Sequence, residues 1–315
     1  MANKATRESF GEMLVELGAK NENLVVLDAD LSKSTMTQAF KKKHPERHFE
    51  LGIAEQNMVG AAAGLALSGK VPVLTSFACF VVGRLEPIRV SAAYNRTNVK
   101  IVGTHAGIGI GEDGTSQMGL EDVAAMRALP HMTVLQPGDD AEARQQVRWM
   151  IEEHVGPVYL RLTRQKMPDV HADGWTWEPG KIDVIWEPAK KPAKYQATLI
   201  ASGGPVPCAV EAAQELEKKG FAVRVADAGT LAPFDGAAVA RFAKDSQRLV
   251  SVEDHNVNGG LGSAVCEAAA ERGLAVPVVR VGLRDFGESA SPAELYDKYG
   301  LSAPHLVEAC LKNLD

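Results

Sequence analysis

Glu55 stands at the head of "ELGIAEQNMVGAAAGLALSG" (50–69), a run that is otherwise mostly small and apolar. A carboxylate there answers either to the start of a helix or to a chemistry that shares a proton away from water. A second candidate is the loop "GIGIGEDG" (107–114), in which Gly109, Gly111 and Gly114 fit G-x-G-x-x-G. A dinucleotide loop presents bare amides to a pyrophosphate, and Glu112 and Asp113 inside this one would repel that anion. Ionised carboxylates only accept hydrogen bonds, so the loop suits hydroxyl groups; a flexible surface turn is the competing reading. "NGGLGSA" (258–264) enters a helix pattern, and either receives an anion or simply lets strand and helix turn tightly. Arg7, Ser34, His105 and Arg164 are dispersed, each at the beginning or end of an element. Two arginines, a hydroxyl and an imidazole form the donor set that a phosphate monoester needs, although spacing alone does not group them.

No metal constellation emerges. Among the eight histidines only His44 and His48 have helical i, i+4 spacing, and Pro45 lies between them. Neither a G-x-S-x-G elbow nor a P-loop occurs. The four cysteines (Cys79, Cys208, Cys266, Cys310) are far apart and read as small core or surface residues. A formal net charge of −6 leaves no electrostatic footprint for nucleic acid or an anionic membrane, and the short run Lys41–Lys43 reads as a solvated helix end. The N-terminus has no apolar signal core, and the longest apolar run, 58–67, falls short of the ~20 residues a bilayer requires. The expected compartment is the cytoplasm.

The elements that must position these residues alternate along the chain. Apolar runs at 23–30, 71–77, 98–105, 132–138 and 156–162 read as buried strands, separated by helix patterns such as 54–68 and 139–154. Such alternation predicts a parallel sheet covered on both faces. At the N-terminus, Phe10, Met13, Leu14 and Leu17 follow helical spacing. Residues 167–195, with four prolines and three of the four tryptophans, break the rhythm and read as a linker lying on a surface. Alternation resumes at 197–204, 206–219, 221–229, 248–255, 262–272 and 276–283, and Ser291-Pro292-Ala293-Glu294 predicts the capping box of the final helix. At 315 residues two α/β domains fit: 1–166 and, after the linker, a smaller one over 196–315.

Together, "LDADLSKST", "LGIAEQNMVGAAAGLAL", "TSFACF", "IVGTHAGIGIGEDGTSQ", "PVYLRLTRQKMP" and "VEDHNVNGGLGSA" resemble the C-terminal section of transketolase, in order over nearly the whole chain. The resemblance implies a pyrimidine-binding domain followed by the family's C-terminal domain. It also implies thiamine diphosphate and magnesium as cofactors. The family's GDG…asparagine motif, which holds the diphosphate and metal, has no match here. With a methionine directly before the pyrimidine-type domain, the chain resembles the C-terminal half of a split, two-subunit transketolase. That implies a separate transketolase N-terminal subunit as partner and an α₂β₂ heterotetramer. By the same resemblance Glu55 hydrogen-bonds a ring nitrogen of the cofactor's aminopyrimidine and favours its imino tautomer. A carboxyl at an apolar interface holds its proton more readily, which fits that task. Phe80 matches the aromatic that stacks on the pyrimidine, with Phe77 beside it and Asp30 close to the cofactor. Arg7, Ser34, His105 and Arg164 match a sugar-phosphate clamp, and Asp113 an acid that reads a substrate hydroxyl.

Two positions depart from the family. Gln117 stands where transketolases generally carry a histidine near the reacting carbon; glutamine donates a hydrogen bond but relays no proton near neutral pH. Gly83 replaces a further aromatic of the pyrimidine pocket. The implied activity is ketol transfer from a ketose phosphate to an aldose. Deoxyxylulose phosphate synthase, normally one fused chain, is one alternative. The β chain of a 2-oxoacid dehydrogenase, which lacks this loop and the full clamp, is another. A non-catalytic regulatory protein of the same fold is a third, and the intact Glu55, Phe80 and clamp residues argue against it.

Overall fold

In the computed structural model residues 3–311 are described; the outer ends of the two expected domains, 1–2 and 312–315, lie outside that range. Strands Leu24–Asp28, Lys100–Thr104 and Val158–Arg161 are buried at every position, as continuous apolar runs require in a sheet covered on both faces. Successive side chains go to opposite sides: Val25, Leu27, Leu74 and Ile101 enter one core layer, Leu24, Val26, Val73 and Val102 the other. Helix Glu55–Leu67 covers the first layer with Met58, Val59 and Ala62. Helices Thr6–Gly18 and Asp140–Glu152 cover the second with Phe10, Leu14, Leu17, Val147 and Met150.

The first sheet has seven strands in the order Thr230–Ala232, Thr133–Leu135, Val158–Arg161, Lys100–Thr104, Val71–Phe77, Leu24–Asp28, His48–Glu50. All pair in parallel except Thr230–Ala232, which runs antiparallel to Thr133–Leu135. That edge strand comes from the second half of the chain, so the C-terminal part completes the N-terminal sheet. The second sheet has five strands, Val278–Leu283, Leu249–Asn256, Ala197–Ser202, Val223–Asp227 and Asp183–Trp186, parallel but for the last.

Three features differ from the sequence reading. The segment 167–195 is more than a surface linker: Met167–Pro168 pairs with Asn3–Lys4, and Asp183–Trp186 is an edge strand, with Trp177 and Ile182 buried. Its prolines and lack of a long period hide those short pieces, since an antiparallel edge strand needs only a few residues. Helix Glu55–Leu67 is packed on one side only. Gln56, Asn57, Gly60, Gly64 and Leu67 are exposed, and nothing lies within 4 Å of where a Cβ would sit at either glycine. The Ser291 capping box forms as expected, but Ala303–Leu311 follows its helix, so that helix is not the last. Among the described residues no helix is long and apolar enough to cross a membrane.

Candidate active site

In a parallel sheet, loops leaving the carboxyl ends of the strands converge on one edge. Here Asp30 follows strand Leu24–Asp28, Phe77 ends Val71–Phe77, His105 follows Lys100–Thr104, and Arg164 lies beyond Val158–Arg161. Arg7 is in the first turn of helix Thr6–Gly18. Its Nη1 donates to the Ser34 carbonyl at 2.8 Å and lies 2.8 Å from His105 Nε2. A guanidinium has no acceptor, so Nε2 must receive that bond, and the His105 proton sits on Nδ1, 2.9 Å from Thr104 Oγ1. The Thr104 hydroxyl in turn donates to the Ser76 carbonyl at 3.3 Å. Burial, with Arg7 and Arg164 beside it, lowers the His105 pKa to about 3. Arg7 is itself pushed down by burial and by Arg164.

The four dispersed positions thus meet, with two corrections. His105 is an acceptor toward Arg7 rather than a further donor, because the neighbouring cations exclude its imidazolium. Ser34 joins through its carbonyl, not its hydroxyl. His105 also has φ of +57°, a left-handed conformation that places its ring flat against Phe77, centroids 3.8 Å apart. Phe77 stacks in turn on Phe80 at 5.6 Å and 8°. The three rings form a short stack whose outermost member, half-buried Phe80, keeps one face clear of Phe77.

Glu55 is the first residue of its helix, where the backbone amides favour a carboxylate. It is 5% exposed, and its one ion-pair neighbour among the described residues is Arg84, Nη2 to Oε2 at 3.7 Å. Arg84 carries no motif that sequence reading could have found. Gly83, its neighbour, has helical φ of −62° with only backbone carbonyls at 3.5 and 3.6 Å of a built Cβ. A methyl group at this position would therefore make ordinary contacts.

The acidic loop is held from beneath by the C-terminal domain. Asp254 accepts from the Ile108 and Gly109 amides at 2.7 and 3.3 Å and from the Tyr296 hydroxyl at 2.9 Å. A Cβ on Gly107 would stand 2.1 Å from the Asp254 carboxylate, so only glycine fits there. Arg164 donates to the Ile110 carbonyl at 2.5 Å and pairs with Glu112 at 3.4 Å, which leaves Asp113 exposed and acting on Arg7 through its charge. Gln117 ends the short turn Thr115–Gln117, and its carbonyl accepts from the Cys79 thiol at 3.2 Å. Sequence reasoning missed Asp254. It also missed Asp28, whose buried carboxylate accepts from Leu31 N–H and the Thr35 and Thr37 hydroxyls and shapes the loop bearing Asp30 and Ser34. Asp30 itself is exposed with φ of +61°, its amide held by Glu50 at 2.7 Å. At the second glycine cluster Glu253 of this chain accepts from the Leu261 and Gly262 amides at 2.7 and 2.8 Å, so a carboxylate of the protein already takes those donors.

The profile of the "Transketolase, pyrimidine binding domain" matches residues 2–170, and that of the "Transketolase, C-terminal domain" matches 189–306. The chain belongs to the transketolase family. A transketolase C-terminal section from Methanocaldococcus jannaschii is 42% identical over 99% of this chain and 96% of that one. The 6-deoxy-6-sulfo-D-fructose transketolase subunit of a Clostridium species is 37% identical over 96% and 92%. A solved split-gene transketolase, described as an inactive β4 tetramer, superposes with a TM-score of 0.87 at 44% identity, covering 99% of both chains. The mouse and bovine transketolase-like proteins are covered over only 48% and 50% of their lengths. In this transketolase-family chain, then, the Arg7–His105–Arg164 cluster, the aromatic stack and Glu55 belong to the pyrimidine-binding domain.

Proposed function

We propose that this chain is one half of a two-subunit, thiamine-diphosphate-dependent transketolase that moves a two-carbon ketol unit from a ketose phosphate to an aldose. The observation that carries the reading is the convergence of Arg7, His105 and Arg164 on the sheet edge that also bears Phe77 and Phe80. Two guanidiniums, one of them partly buried, make a strong site for a tetrahedral oxyanion. The residues present fit the pyrimidine end of the cofactor. Glu55 is a nearly buried carboxylate with one long ion pair, so lone pairs remain for a ring N–H, and Phe80 offers a stacking face. When bound, thiamine diphosphate would supply an electron sink for bond cleavage beside a carbonyl. Magnesium and the diphosphate are assigned to the N-terminal partner.

The chain's own residues divide the remaining tasks. Glu55 holds or gives up a proton at its carboxylate toward the ring it faces. Arg7 and Arg164 bind the sugar's anionic end, and Asp113 accepts from a hydroxyl along it. His105, neutral near pH 7, offers an uncharged imidazole beside the clamp. Gln117, in place of a histidine, orients by hydrogen bonding and relays no proton. The open face of helix Glu55–Leu67 is the surface we assign to another chain in an α₂β₂ assembly, with domain limits near 1–166 and 196–315 and a cytoplasmic setting.

Mixing the full chain with its N-terminal partner, cofactor and magnesium should give ketol transfer, while the chain alone should give none. Glu55→Gln should leave assembly intact and lower turnover by roughly 10²–10⁴-fold, the usual worth of a positioned acid–base group. Near-normal turnover of that variant would remove Glu55 from the mechanism. A relative that acts on a sulfonated sugar makes the sulfonate the rival occupant of the clamp, since both anions suit the same donors. Donor assays with xylulose phosphate, sulfofructose and pyruvate separate the readings, and preference for pyruvate would overturn ours.

A further inference from the structure

Away from the catalytic edge, three elements bring acidic and imidazole side chains together inside the protein. Glu142 lies in the first turn of helix Asp140–Glu152, His171 on the segment joining the domains, and Asp227 at the end of strand Val223–Asp227. Glu142 and Asp227 are 1% and 2% exposed, and the His171 side chain is fully buried. One ligand-capable atom from each lies within 4.8 Å of the others. Asp139 fixes the imidazole: its Oδ2 is 2.9 Å from His171 Nδ1, so a proton belongs on Nδ1, and Nε2 faces Asp227 Oδ2 at 3.5 Å. Among the described residues, no N–H or O–H donor reaches either carboxylate oxygen of Asp227 and His171 Nε2 makes no hydrogen bond, so the one bond open to Asp227 is a proton shared with Glu142. Buried polar atoms so placed cost free energy unless something not yet counted satisfies them.

We propose that Glu142, His171 and Asp227 bind one divalent transition-metal ion, of the zinc or manganese kind, that fastens the two domains and their connecting segment together. An imidazole nitrogen with two carboxylates selects such an ion over magnesium or calcium. A carboxylate holding the far imidazole N–H is the arrangement that orients metal-bound histidines. The surroundings are shaped for the carboxylates. A Cβ at Gly229 would stand 1.6 Å from Glu142 Oε1, and one at Gly138 would stand 2.7 Å from Asp227 Oδ2. The Gly138 amide and the Gln146 side-chain amide donate to Glu142 at 2.7 and 3.0 Å and aim it, while Trp175 stacks on His171 at 3.6 Å. Lys181 and Arg241 line a cavity of ≈ 310 Å³ beside the trio, which gives an ion a way in, but neither is within ion-pair distance of it among the described residues. With metal–ligand bonds of about 2.0–2.2 Å, the ligand atoms must sit roughly 3.5 Å apart, so binding needs at most a small closure of the trio.

The full chain, purified without chelator, should carry one metal ion per chain by plasma mass spectrometry. The stripped protein should take up one equivalent of Co²⁺ with a visible ligand-field band. Zn²⁺ or Mn²⁺ at a hundredfold excess over Kd should raise the melting temperature by about 5 °C. His171→Gln and Asp227→Asn should each weaken Co²⁺ binding at least tenfold with the far-ultraviolet circular dichroism unchanged. If Asp227→Asn does not fold, His171→Gln and the wild-type spectrum still decide. A wild-type chain that binds no metal and melts unchanged overturns the proposal, in favour of a proton shared between Glu142 and Asp227 beside an imidazolium. Co²⁺ binding undiminished in His171→Gln overturns it too.

Discussion

The neutrality of His105 is open to a direct test with acid. Its Nε2 accepts from Arg7 at 2.8 Å, its Nδ1 proton faces Thr104 at 2.9 Å, and the ring is 2% exposed. Burial opposes the imidazolium first of all, and protonating Nε2 would also turn that acceptor into a donor against the Arg7 guanidinium, with Arg164 adding repulsion; hence the pKa of about 3. The unfolded chain takes up the same proton near pH 6.5, since nothing there opposes it. The unfolded state therefore binds more protons between those values. Stability from this residue is present in full above pH 6.5 and is lost as pH falls toward 3, at up to ~1.4 kcal/mol per unit. Between pH 7 and pH 5 the integrated loss is about 2 kcal/mol. Other histidines contribute their own slopes, so the quantity to measure is a difference. His105→Asn keeps a residue type that tolerates the +57° φ and removes the titration. Urea unfolding of both proteins at pH 7 and pH 5 should show the variant losing about 2 kcal/mol less than the wild type on acidification. In ¹⁵N-histidine spectra the wild-type ring should stay neutral, with its proton on Nδ1, down to pH 5. Equal losses in the two proteins, or an imidazolium at pH 6, would falsify the assignment.

Two further outcomes follow from the loop and from the open pocket. Asp254→Ala strands the buried amides of Ile108 and Gly109 and the Tyr296 hydroxyl; it should cost about 3–5 kcal/mol. A thermal melt within a degree of wild type would show that the C-terminal domain does not hold the acidic loop. Gly83→Ala should be neutral or stabilising by up to about 1 kcal/mol, because its φ is helical and no atom lies closer than 3.5 Å to the new carbon. A clear drop in melting temperature would mean that the space beside Phe80 is not free.

The central strands of both sheets and the helices covering them were legible because apolar runs and helical spacing are local signals. What stayed hidden was short or non-local. Strands His48–Glu50, Asp183–Trp186 and Thr230–Ala232 are three or four residues each and owe their form to the partner strand rather than to their own pattern. The open side of helix Glu55–Leu67 was not legible, because glycine and alanine read alike whether they face a core or open space. Of the site, the resemblance marked the arginines, His105, Phe77, Phe80 and Glu55. Arg84 lies in no recognisable motif, and Asp28 and Asp254, although inside transketolase-like stretches, had no role legible there, since supporting residues are selected for their place and not for a recurring spacing.

By itself the sequence determined that this chain is a pair of α/β domains of the transketolase family with a carboxylate opening an apolar helix. Only the tertiary structure decided what the polar residues do to one another. Arg7 and His105 are 98 positions apart, yet one hydrogen bond fixes the tautomer and charge of the imidazole. Asp254 lies 146 positions from the amide it holds. Composition and spacing record which groups exist, but a proton's place depends on distance, burial and neighbouring charge, and those arise only when the chain has closed on itself.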